Sequence, residues 1–289
     1  MNGGGDGCKP PALAPTTYSG NTSKEKHMVE LNLKAVRPVK MTPESRFKFR
    51  CHPGVPCFTE CCGKTTIILT PYDILRLKAR LGINSGDFLE RYTRREEHDK
   101  SGLPLVVMDM PRYHGKCPFV RPVTGCLVYS DRPATCRYYP VGQGIMVTED
   151  GLDEFYFLVR EPHCKGFEAE DEWNVDTWKK DQGADYYDEM NKEWKAMMLR
   201  RSSVGKPDIS EKEQNLFYMV MYDLDQFRRF VFKSRFLSVF QVDDDTQQRI
   251  YEDDLELLRF GYKYLKMVFK ISGDKDLTLS PQEAVPTTP

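Results

Sequence analysis

Apolar residues fall in short alternating or continuous runs over the first half of the chain and at three- and four-residue steps over the second half. Phe47 and Phe49 alternate with Lys48 and Arg50, which predicts a short strand over Phe47–Cys51, and Thr65–Leu69 predicts another. Thr70-Pro71-Tyr72-Asp73 opens a helix: Thr as N-cap, Pro at the first helical position and an acid three residues after the cap. Ile74, Leu75, Leu77 and Leu81 form its apolar face, and Gly82 is its stop. Ser85–Thr93 predicts a shorter helix with Phe88, Leu89 and Tyr92 on one side. Leu103–Met108, Cys126–Tyr129, Gly144–Val147 and Phe155–Val159 predict buried strands, the last two joined as a hairpin through Glu149-Asp150-Gly151.

From about Asn174 onward the pattern is helical. Trp178 and Ala184–Arg200 predict two helices separated near Gly183. Ser210-Glu211-Lys212-Glu213 is a capping box opening one long helix through roughly Phe240, with Phe217, Val220, Leu224, Phe227 and Val231 on one stripe. A last helix over roughly Gln247–Lys270 repeats the pattern with Ile250, Leu255, Leu258, Tyr262, Leu265 and Phe269. Stripes at this spacing are expected to form core, the alternative being a groove for a protein partner. The predicted class is α+β: a small cysteine-rich α/β unit over 27–170, then a mainly helical region over 171–272 packed on it. Residues 1–26 and 273–289 read as tails, too poor in apolar residues to offset ordering entropy.

Composition changes this picture in one respect. The 289 residues carry 42 Lys+Arg against 43 Asp+Glu, so no net field draws the chain to nucleic acid or an anionic membrane. No run of about 18 apolar residues and no basic start followed by an apolar stretch is present, and a cytoplasmic, reducing setting is expected. Eight of the nine cysteines lie between Cys51 and Cys164, and four of them form Cys-x5-Cys-x3-Cys-Cys: Cys51, Cys57, Cys61 and Cys62. Cys117, Cys126, Cys136 and Cys164 follow at wider spacing, and Cys8, alone in the first tail, is read as a non-ligand. In a reducing compartment such grouping points to metal before disulfides.

Thiolates are soft donors and select zinc, copper(I) or iron–sulfur clusters. Eight thiols match two four-cysteine sites, and equally one such site with spare thiols. In an extended backbone Cys61 and Cys62 point to opposite sides, so one ion held by both requires a turn or helix. Two sites flanking the pair, or one ligand beside one buried thiol, are the easier arrangements. No Cys-x2-Cys occurs, which removes the zinc-ribbon and bacterial ferredoxin patterns, and Lys64 stands where a radical-type motif needs a third cysteine.

Asp131-Arg132-Pro133-Ala134-Thr135-Cys136-Arg137 is the second signal. Asp131 is expected to cap a short helix that holds Cys136 near its positive end. Arg132 and Arg137 are expected to offset a thiolate site's charge and so to bind the cofactor, the alternative being pairing with carboxylates such as Asp131.

Phe47–Cys62, Ile67–Lys78, and the ordered combination of Cys61-Cys62 with Arg132-Pro133-Ala134-Thr135-Cys136-Arg137 resemble the YkgJ-type cysteine-cluster family over about residues 47–166. That family is described as a zinc- or iron-chelating domain and is often labelled an iron–sulfur protein. Its usual opening, Cys-x2-Cys-x2-Cys-Cys, is stretched here, and Cys164-Lys165-Gly166 resembles the Cys-x-Gly that closes some members' cluster. The resemblance implies one or two iron–sulfur clusters of the 4Fe–4S type, with zinc as the alternative, and metal ligands drawn from Cys51, Cys57, Cys61, Cys62, Cys117, Cys126, Cys136 and Cys164. Some flagellar lysine methylases are similar over the motif, which adds a cluster-dependent protein-modifying enzyme as a third option.

Other chemistry is weak. Gly63-Lys64-Thr65 lacks the first glycine of a phosphate loop, because Phe58 stands there, and Gly142-Gln143-Gly144 lacks the third glycine of a dinucleotide fingerprint. His52, His114 and His163 adjoin the cysteines and read as nearby hydrogen-bonding or exposed rings, replacement of a cysteine being the alternative. The leading expectation is an iron–sulfur protein for electron transfer, redox sensing or support of a partner's reaction. The alternative is a structural zinc module carrying a helical interaction region.

Overall fold

Residues 36–63, 65–148, 151–203, 209–269 and 278–279 are described by a computed structural model. Cys8, Lys64, the first predicted tail and nearly all of the second lie outside the described residues.

The elements follow the sequence logic closely where cap and stripe agree. After β1 (Val36–Met41), β2 (Arg46–Lys48) and β3 (Ile68–Leu69) comes α1 (Pro71–Leu81). Its capping box is complete: Asp73 N donates to Thr70 Oγ1 at 3.2 Å and Thr70 N to Asp73 Oδ2 at 2.8 Å, while Gly82 closes the helix at φ 65°. α2 (Ser85–Tyr92) leads into β4 (Thr93–Glu97) and β5 (Pro104–Met108). The continuous apolar run of β5 lies at the centre of an antiparallel sheet of order β3-β5-β4 and is buried at every position. β4, Thr-Arg-Arg-Glu-Glu, carries no apolar alternation to predict it; it is an edge strand whose exposed Arg95 and Glu97 discourage further pairing.

β6 (Val120–Arg121) and β7 (Gly125–Cys126) form a small hairpin ahead of α3 (Ala134–Tyr138). The strand expected over Cys126–Tyr129 is therefore only two residues, Gly125–Cys126. Beyond Cys126 the chain turns: Tyr129 begins a 3-10 turn and is 58% exposed, and only Val128 of that stretch is buried. β8 (Val141–Thr148) and β9 (Gly151–Val159) pair as the predicted hairpin, and β1 adds to β9. β10 (Glu172–Asn174) pairs with β2. All ladders are antiparallel, so the chain is α+β.

α4 (Val175–Gln182) and α5 (Ala184–Ser203) divide at Gly183, whose φ of 64° suits a glycine. The long helix expected from Ser210 is instead α6 (Glu211–Tyr222), α7 (Leu224–Lys233) and α8 (Phe236–Val239). Asp223 breaks it by taking the N–H of Gln226 at 3.2 Å, an N-cap bond that competes with continued helix. β11 (Phe240–Gln241) follows, paired with β12 (Thr278–Leu279). The last predicted helix likewise divides into α9 (Asp244–Glu252) and α10 (Asp254–Val268), because Asp253 accepts from Leu255 N and Glu256 N.

Two apolar cores result. The larger joins β3, β5, α1 and α2 to α6, α7 and α10, with Phe217, Val220, Phe227, Val231 and Leu258 fully buried. The smaller holds Phe47, Phe49, Tyr138, Val175 and Trp178. Phe49, edge-on to Trp178, Tyr139 and Phe167, anchors the chain immediately before Cys51, and burying such a ring is worth about 2–3 kcal/mol. Cys117, Cys126 and Cys136 pack on the larger core and Cys164 on the smaller.

Candidate metal centre

Between Cys51 and Gly63 the chain is a succession of tight turns. Val55 N donates to His52 O at 3.0 Å, Phe58 N to Val55 O at 2.9 Å, Glu60 N to Cys57 O at 3.0 Å and Cys62 N to Thr59 O at 3.2 Å. Thr59 has φ 70°, a left-handed conformation that a β-branched residue adopts at a cost of about 1–2 kcal/mol. The turn it opens, a 3-10 helix over Glu60–Gly63, carries the vicinal cysteines. The backbone here is the special turn that the vicinal pair demands if both thiols are to lie close, and the Cys61 and Cys62 thiols hydrogen-bond to each other.

Cys51, Cys57, Cys61 and Cys164 line one cavity of about 10 Å³, together with Phe49, Val55, Tyr139, His163 and Gly166. Gly166 lets the two segments approach: a Cβ there would stand 2.6 Å from the Phe49 ring, and its carbonyl accepts from Arg50 N at 3.0 Å. Lys165 N donates to Cys57 Sγ at 3.1 Å, which ties the segment of Cys164 to that of Cys57. Tyr139 hydrogen-bonds to the Cys164 thiol and also donates to Glu161 Oε2 at 3.3 Å. His163 Nε2 stands 3.3 Å from Glu161 Oε2, a charge-pair distance, yet outside hydrogen-bond geometry; it is buried without a hydrogen-bond partner among the described residues. Burial, then the neighbouring thiols, push Cys51 up to about 11, and burial raises Cys164. Cys61 is raised foremost by its hydrogen bond with Cys62, then by burial and by the charges of Cys62 and Glu161.

Cys117, Cys126 and Cys136 form a second group. Burial pushes Cys117 up to about 11 and raises Cys126, with backbone N–H groups opposing both shifts. Cys136 is raised most by burial, then by Cys117, Cys126 and Asp73, against the charge of Arg132. Cys117 N donates to Cys62 O at 2.9 Å, which ties this group to the turn of the first.

Asp131 does not cap α3. It accepts from Arg76 Nε at 3.0 Å, and Pro133 occupies the N-cap position. The cap comes from another helix: Asp73 Oδ1 accepts from Ala134 N at 2.9 Å. Arg137 commits its guanidinium to Arg132 O, Gln182 O, Ser130 O and Tyr187 Oη while lying 4.1 Å over the Tyr187 ring, and so braces the loop that carries Cys136. Arg132 bonds Tyr129 O and Gln182 Oε1 and lies 4.0 Å over the Tyr129 ring, yet its charge still reaches Cys136 and Cys126. Tyr139, Glu161 and Asp73 carried no sequence signal for this role. The Cys-flanking positions of Tyr139 and Glu161 become meaningful only once the chain returns to the cavity.

The donor set is sulfur at both groups, which fits zinc or iron and not magnesium or calcium. Among the described residues no three Cys, His, Asp or Glu side chains are grouped tightly enough to hold an ion. No described helix is long and apolar enough to cross a membrane.

No curated protein and no solved structure matches the chain. Residues 50–165, which contain both cysteine groups, match the model of the CxxCxxCC family, described as a "putative zinc- or iron-chelating domain".

Proposed function

We propose that the domain holds an iron–sulfur cluster through its thiolates and that the protein serves electron transfer, redox sensing or support of a partner's reaction. The observation that carries this reading is the convergence of Cys51, Cys57, Cys61 and Cys164 on one cavity from two distant parts of the chain. Four sulfur donors of this kind suit a cluster, which when bound supplies one-electron chemistry at a potential set by nearby charge and by hydrogen bonds to sulfur. The chain offers both influences: the Lys165 amide on Cys57, the Tyr139 hydroxyl on Cys164, and the Arg132 charge beside Cys136 and Cys126. Cys62, Cys117, Cys126 and Cys136 would hold a second group.

A single zinc ion is the second reading, favoured by the cavity's size. About 10 Å³ admits a body the size of one water, so one ion enters with less displacement of the walls than a cluster does. Anaerobic purification followed by iron, zinc and acid-labile sulfide per chain and visible absorption separates the two. Iron and sulfide in equal amounts with absorption that bleaches on reduction is the expected result. A colourless protein with stoichiometric zinc and no iron would sink the cluster reading.

A further inference from the structure

The cavity offers five donors, not four. Beside Cys51, Cys57, Cys61 and Cys164 stands His163, whose Nε2 is buried and has no hydrogen-bond partner among the described residues. With only the Glu161 carboxylate at charge-pair distance and no hydrogen bond made, this buried nitrogen keeps part of its desolvation cost, which an ion would relieve. Cys51 differs from the other three in that the residue as a whole is exposed although it shares the cavity wall, so it sits at the rim of the donor set.

Charge points the same way. A divalent ion with four thiolates carries two negative charges, and Glu161 adds a carboxylate beside the pocket, 3.3 Å from both His163 Nε2 and the Tyr139 hydroxyl. Exchanging one thiolate for a neutral ring removes one of those negative charges from a partly buried site.

We propose that His163 Nε2 is the fourth donor at this cavity, completing Cys57, Cys61 and Cys164, and that Cys51 stands outside the ligand set. The inference rests on the reading of the cavity as a metal site and applies to zinc and to an iron centre alike.

Zinc is the probe. Full-length protein, stripped of metal under reducing conditions and titrated with zinc, is followed by metal per chain and by long-range proton–nitrogen spectra of its histidine rings. Zinc should fix the His163 ring as the Nδ1–H tautomer with a metal-shifted Nε2. Cys51→Ser should match wild type in zinc per chain. His163→Ala should bind the ion of this cavity at least tenfold more weakly, with millimolar imidazole restoring uptake. An Nε2 resonance unmoved by zinc, or loss of the ion from Cys51→Ser with retention in His163→Ala, overturns the proposal. Because the ring spectra are read on wild type, poor folding of a variant does not remove the test. Failure of wild type to take up zinc or iron at all would instead defeat the metal reading itself.

Discussion

Asp73 is fully buried and engages both carboxylate oxygens with backbone amides, Thr70 N and Ala134 N, so one side chain caps its own helix and the helix of Cys136. Burial nevertheless dominates and raises its pKa to about 6. Between about pH 4 and about 6 the folded chain therefore holds a proton that the unfolded chain has released. This group's stabilising contribution is full below about pH 4 and is lost as pH rises through about 6, with a slope of up to about 1.4 kcal/mol per pH unit. Denaturant unfolding across that window should show stability falling with pH, and Asp73→Asn should flatten the fall; an unchanged slope in the variant would show that another group causes it. The cysteines provide a second residue-scale expectation. Serine at Cys57, Cys61, Cys62 or Cys136 should lower metal per chain, whereas Cys8→Ser should leave it at the wild-type value, and equal loss from Cys8→Ser would show that the ligand set is wrong.

Among the elements, helix starts were readable wherever a cap and an apolar stripe agree, as at Thr70 and Ser210, because both signals are local in the chain. Breaks were harder. Phe217, Val220, Leu224, Phe227 and Val231 keep one stripe across Asp223, since α6 and α7 bury their apolar sides in the same core, and periodicity alone cannot register the interruption. The aspartate is held by more than its cap: Ser85 Oγ donates to Asp223 Oδ1 at 2.6 Å across from α2. Asp223→Ala should therefore cost about 2 kcal/mol, from a lost N-cap and a buried hydroxyl left without its acceptor, as read from the denaturation midpoint. A loss within about 0.5 kcal/mol would mean that α6 and α7 can run on as one helix without penalty.

For the whole molecule, the cysteine segments draw on both apolar cores, with Cys117, Cys126 and Cys136 packed on the larger and Cys164 on the smaller. Metal uptake should consequently stabilise the chain well beyond the loops it touches. Burial raises Cys51, Cys117, Cys126, Cys136 and Cys164, the first two to about 11, so these thiols hold their protons at neutral pH. Loading must displace those protons. Zinc titration in two buffers of different ionisation heat should show net proton release, affinity should weaken as pH falls, and stripping the metal should lower the melting temperature. Uptake without proton release would place the metal elsewhere.

By itself the sequence determined the class of chemistry and most of the scaffold. Eight grouped thiols point to a soft metal in a reducing compartment, and caps and stripes depend on neighbours within a turn or two. Only the tertiary structure decided the partition: Cys164 joins Cys51, Cys57 and Cys61, while Cys117, Cys126 and Cys136 gather apart. It likewise decided that Asp73 and not Asp131 caps α3, and that Arg137 braces a loop while the charge of Arg132 reaches the thiols. The physical reason is that these groupings arise from packing between segments far apart in the chain, on two separate apolar cores, and no local pattern encodes which distant loop will return to which thiol.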